Sequence, residues 1–85
     1  MQTIHKFTLE ITDEQFIPMP SGSMPLTAQF QGNDLVVWSL IETDEPTIER
    51  RFTIFGTGNP MQGQGRYLAT AQDPRRGLVW HVFWG

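Results

Sequence analysis

The 85-residue sequence has no cysteine, a single lysine (Lys6) and no apolar run approaching the length of a membrane-spanning helix. Each absence excludes something. Without cysteine there is neither a disulfide framework nor a thiolate metal site to reinforce the fold. A chain of this length buries only about 60–65% of its unfolded surface, so its core is thin and often borrows stability from a partner subunit. Six basic residues against nine acidic ones give a formal charge of −3 and an isoelectric point near 5.1. A general nucleic-acid binder carries a basic footprint instead, so DNA and RNA are not expected as partners. A spanning helix needs about 20 consecutive apolar residues, and the opening "MQTIHKFTLEITDEQ" is too polar for a secretory leader. The expectation is one soluble domain, residues 1–85, in the cytoplasm and without a membrane partner.

What is present is period two. In "HKFTLEI", Phe7, Leu9 and Ile11 alternate with Lys6, Thr8 and Glu10. In "MPLTAQFQ", Leu26, Ala28 and Phe30 alternate with Thr27, Gln29 and Gln31. In "TIERRFTIF", Ile48, Phe52 and Ile54 share a face with Arg50, against Glu49, Arg51 and Thr53. These read as half-buried antiparallel strands. "QGNDL" is a tight hairpin signal, and "TDEP" and "QDPRRG" close two further connections. The prolines of "IPMPSGSMP" suit an edge or a loop, because they cannot donate to a ladder. "TDEQ" at Thr12 to Gln15 fits a single helical turn or a plain turn between strands. The pattern predicts an all-β domain of six to seven short antiparallel strands, curled as a small barrel or sandwich.

Two strands are apolar on both faces. Leu35, Val37 and Ile41 oppose Val36, Trp38 and Leu40, and Leu78, Trp80, Val82 and Trp84 oppose Val79, His81 and Phe83. A thin domain has one core, so the second face needs cover: another copy of the chain, a ligand, or a second sheet of its own. A homo-oligomer is the expectation.

The stretch "FGTGNPMQGQGR", Phe55 to Arg66, sets four glycines and an arginine between two strands. It ends without the Gly-Lys-Ser/Thr of a P-loop and lacks the third glycine of a dinucleotide fingerprint. It is either an anion contact, with Thr57, Asn59 and the Arg66 fork beside exposed backbone N–H groups, or a mobile hairpin loop. His5 and His81 with scattered carboxylates make no metal site, and no Ser-His-Asp order appears. No catalytic residue, metal or cofactor is expected. Aromatic residues make up 12% of the chain and arginine supplies five of its six basic charges, the composition of a recognition surface. Arg50 stands out, because it shares a face with Ile48, Phe52 and Ile54.

"KFTLEITDEQ", "MPSG", "VVWSLIE", "RRFTIFGTGNP" and "GLVWHVF" together resemble a family of small phage and prophage proteins of unknown function, along nearly the whole chain. The family pattern has Gly-Thr-Gly-His-Pro where this chain has Gly56-Thr57-Gly58-Asn59-Pro60. A catalytic role at that position is therefore in doubt here, while a hydrogen-bonding role survives. It also has Tyr-Ile-Gly-Thr where this chain reads Tyr67-Leu68-Ala69-Thr70. The resemblance implies a phage origin and expression inside a bacterial cell. By analogy of lifestyle, it implies a stoichiometric protein that blocks a host protein or sequesters an immune signal. The reading is a non-enzymatic protein that counters bacterial defence by binding a nucleotide-type signal, with Trp38, Arg50, Thr57, Gly58, Asn59, Arg66 and His81 as contacts. The alternative is a protein–protein inhibitor or assembly module whose aromatic face meets a host or phage protein.

Overall fold

The computed structural model describes all 85 residues, with seven strands and no helix. They are β1 Gln2–Leu9, β2 Glu14–Pro20, β3 Met24–Gln31, β4 Asp34–Glu42, β5 Thr47–Gly56, β6 Arg66–Gln72 and β7 Val79–Trp84. One sheet has the order β1-β4-β3 and the other β2-β5-β7-β6. Every pairing is antiparallel, and β3 runs beside β6 where the two sheets meet. The predicted all-β class and strand number hold.

The alternation decides what is inside. The core is a cluster of eleven buried residues that includes Leu9, Met19, Leu35, Val37, Phe52, Ile54, Val82 and Trp84. They come from the facing sides of both sheets, and Phe7, Ile17, Phe30, Leu68 and Trp80 pack around them. Four expected inward positions are exposed, among them Ile48 near the start of β5. Leu26 is exposed because the β3–β4 register shifts between Pro25 and Thr27. Such a bulge inserts one residue that opposes nothing and so inverts the parity behind it. Ile11 and Leu78 are exposed because they lie beyond the ends of β1 and β7.

The connections follow their residue chemistry. "TDEQ" is a turn rather than a helical turn. Its Gln15 amide donates to the Glu10 carbonyl at 2.7 Å and accepts from the Glu10 N–H at 2.9 Å. Between β3 and β4, Gly32 has φ +61° while Asn33 stays at negative φ, the pattern of a hairpin turn with glycine in its first central position. Pro18 and Pro20 sit on β2, an edge strand, where a missing N–H is tolerated.

The second apolar faces are covered partly from within. Val36 is 1% exposed, and Lys6 reaches across it to donate to Gln31 Oε1 at 2.6 Å. Ile4, Met24 and Leu26 remain exposed around half-buried Trp38 and Leu40 on the outer side of the three-stranded sheet.

Ser39 is fully buried on the inner side of β4, and its Oγ has no partner. A buried hydroxyl without a partner costs about 1–3 kcal/mol of desolvation. Ser39→Ala should therefore raise the melting temperature by several degrees, at about 4–8 °C per kcal/mol for a domain of this size. Phe52→Ala, at a fully buried site, should lower stability by about 3–5 kcal/mol. Urea denaturation of both variants checks the pair.

Candidate functional site

The glycine stretch begins as a turn. Asn59 N donates to Gly56 O at 3.1 Å, and Gly58 has φ +90°. That is the geometry of a type II turn, in which the third position requires positive φ and hence glycine. The loop then folds back on the four-stranded sheet. Gln64 O accepts from Thr53 Oγ1 at 3.1 Å, which helps to bury Thr53 to 3% exposure. At Gly65, with φ +74°, a Cβ would lie 2.6 Å from the Trp84 carbonyl oxygen. The stretch is an anchored loop, and its glycines are set by turn geometry and close backbone approach.

Where β5 and β6 flank β7, the outward side carries two rows. The first is aromatic: Phe83 meets Phe55 and Tyr67 edge to face, at centroid distances of 5.8 and 5.5 Å. The second is polar. Thr57 Oγ1 lies 2.8 Å from His81 Nε2, His81 Nδ1 lies 3.0 Å from Thr70 Oγ1, and Thr70 Oγ1 lies 2.8 Å from the Tyr67 hydroxyl. A neutral imidazole has one donor and one acceptor nitrogen, and a hydroxyl can serve as either. Both tautomers of His81 are therefore satisfied, and the direction of the whole row is reversible.

Thr57, at one end of the row, also lines a cleft of about 440 Å³ with Gly56, Asn59, Gly77, Leu78, Val79 and Trp80. Glycine at 56 keeps that cleft open: a Cβ there would fall 2.9 Å from Asn59 Nδ2 and 3.4 Å from the Trp80 ring. The N–H groups of Thr57 and Gly58 make no hydrogen bond within the protein. A larger cleft of about 560 Å³ lies on the other side of the loop. Its Asp13 and Glu14 repel an anion, and its Arg51 is already paired with Glu14 at 2.6 Å. The smaller, uncharged cleft is the better candidate. No group of three or more His, Asp or Glu side chains forms a metal-binding cluster.

Of the residues singled out in the sequence, Thr57, Gly58, Asn59 and His81 come together. Arg50, Arg66 and Trp38 do not join them. Arg50 points inward from β5, donates to Ser23 O at 3.1 Å and lies 5.0 Å from the Trp84 ring centroid. Its Nε is buried without a partner. Arg66 also sits over Trp84, at 5.2 Å. Both guanidinium groups thus hold a ring of the core by cation–π attraction. Trp38 belongs to the outer side of the three-stranded sheet, on the opposite surface of the sandwich from His81. Sequence reasoning missed Tyr67, Thr70 and Trp80. Only the register that sets Thr70 opposite His81 and Gly56 opposite Trp80 places them at the site.

Three glycine substitutions should rank by what they disturb. Gly65→Ala drives a Cβ into a backbone carbonyl and should be the most destabilising. Gly58→Ala or Gly58→Val forces a side chain to φ +90°, at about 1–2 kcal/mol. Gly56→Ala should leave the fold intact and displace the Asn59 amide, visible as shifted side-chain amide resonances. Denaturation curves together with ¹H–¹⁵N spectra test the order.

No curated protein and no solved structure matches the chain. A family model does, over residues 1–85. The chain belongs to the family described as a domain of unknown function, DUF7352.

Proposed function

We propose that the protein is a non-enzymatic binding module for a nucleotide-type ligand, seated in the cleft between Gly56–Asn59 and Gly77–Trp80. The observation that carries the reading is the convergence at one turn of unpartnered donors and a stacking surface. The Thr57 and Gly58 N–H groups are free to meet an anion. The Asn59 amide and half-buried Trp80 line the adjoining wall. An amide offers paired donor and acceptor atoms to a base edge, and an aromatic ring offers a stacking plane worth about 1–3 kcal/mol per base. Glycine at 56, 58 and 77 lets a ligand approach the backbone closely.

A nucleophilic role for Thr57 is disfavoured by its surroundings. His81 Nε2 lies within reach of the hydroxyl, but the other ring nitrogen meets Thr70 and not a carboxylate. Nothing there stabilises an imidazolium as a buried acid does in a triad. The row is suited instead to orienting the Thr57 hydroxyl toward whatever group the ligand presents. In biological terms we read the protein as a phage accessory factor acting in the bacterial cytoplasm, sequestering a nucleotide-type signal of host defence. The motif resemblance to phage proteins supports this part.

A second reading has its own observation. Ile4, Met24 and Leu26 form an exposed apolar surface on the other sheet, as a protein–protein inhibitor or assembly module would need.

Titration calorimetry with a panel of mononucleotides, cyclic dinucleotides and ADP-ribose derivatives separates the two. Binding of any member should weaken about 10–100-fold in Thr57→Val and in His81→Ala, the loss of one or two hydrogen bonds to a polar ligand. Arg50→Ala should lower the melting temperature and leave affinity unchanged. No binding across the panel, or binding indifferent to Thr57 and His81, sinks the nucleotide reading.

A further inference from the structure

The sandwich has four sheet edges, and three of them are closed to a new strand. β2 carries Pro18 and Pro20, which offer no N–H to a neighbour. β3 and β6 lie alongside each other. β1 is different: its eight residues contain no proline, and its pairing with β4 has no bulge.

The direction of the β1 backbone groups follows from the ladder. Thr43 N donates to Met1 O at 3.0 Å, so Met1 and Thr43 form a hydrogen-bonded pair. Such pairs alternate along an antiparallel ladder. Thr3, His5, Phe7 and Leu9 therefore bond to β4, while the N–H and C=O groups of Gln2, Ile4, Lys6 and Thr8 point away from the sheet. Glu10, next in that parity, confirms it. Its N–H and C=O are both taken by the Gln15 side-chain amide, which stands in for a neighbouring strand. Beyond that amide the edge is open, and no other strand pairs with it.

We propose that this edge docks a second copy of the chain, β1 against β1, antiparallel about a two-fold axis at His5. In such a pairing, outward residues must face outward residues. Opposing Gln2 with Thr8 of the second copy, and Ile4 with its Lys6, uses all four open positions on both chains. Lys6 is the one lysine of the protein and the only acidic or basic side chain of β1 other than His5. It meets Ile4 and not its own copy. The strand is self-complementary in that register, and two three-stranded sheets become one six-stranded sheet through an isologous contact. The proposal does not rest on the nucleotide cleft, which lies on the other sheet.

Two measurements test it with the full chain. Light scattering at tens to hundreds of micromolar should give twice the mass of one chain. Ile4→Pro removes an outward N–H and no bond to β4, so it should raise the dimer dissociation constant at least about tenfold. His5→Cys places two thiols opposite each other at the axis, with Cα atoms about 4.5 Å apart, within disulfide reach. In a protein otherwise free of cysteine, mild oxidation should give a covalent dimer far faster than Leu26→Cys, a control on the exposed sheet face. The idea fails if the wild type runs as a single chain throughout that range, or if a dimer persists undiminished in folded Ile4→Pro. It also fails if His5→Cys crosslinks no faster than the control, a test that stands even if the proline variant does not fold.

Discussion

The register of β7 between β5 and β6 is the constraint on which the core and the candidate site both depend. With Phe52 opposite Trp84 and Ile54 opposite Val82, the inward parity of β7 places Val82 and Trp84 in the core. The same register places His81 and Phe83 outside, where Thr70 and Tyr67 meet them. A slip of one residue would exchange the two sets, burying an imidazole and exposing an indole. The eleven ladder neighbours of β7 need not be tuned separately for function, because the hydrophobic demand for Val82 and Trp84 to be inside already fixes where His81 goes.

Trp84 shows the same coupling from the other side. Its ring is held between core side chains and two guanidinium groups, and its carbonyl blocks any side chain at Gly65. The end of the glycine loop is thus tied to the end of β7, and through β7 to the polar row. Arg50 is retained on an apolar face by its bond to Ser23 O and by the ring beneath it, which is why a charge sits where the alternation calls for a hydrophobe.

The sequence made the architecture legible because antiparallel strands announce themselves through alternation, and prolines and glycines mark their ends. It failed where parity changed silently: the bulge at Pro25 to Thr27 turned Leu26 outward without any glycine to signal it. Half of the candidate site was legible. Thr57, Gly58 and Asn59 are neighbours in the chain, and His81 was conspicuous in an apolar strand. Thr70 and Tyr67 were not, since a threonine and a tyrosine on an outward parity are ordinary until a histidine is known to lie across from them. Arg50 and Arg66 were read as ligand contacts because sequence gives an arginine's charge and not the ring it stacks upon. Both occupy Trp84 here.

The order of the strands has a further consequence, for how the chain reaches this state. Only β3–β4 and β6–β7 join neighbours in sequence; β1 waits for β4 and β2 for β5. Long loops must close before those pairings are rewarded, so folding is expected on the slow, millisecond-to-second side typical of β sandwiches. The two hairpins are the natural early structures. The β6–β7 hairpin already aligns Tyr67, Thr70 and His81, whereas Thr57 arrives only when β5 docks. The polar row is therefore completed late, and its last member is the one that faces the cleft.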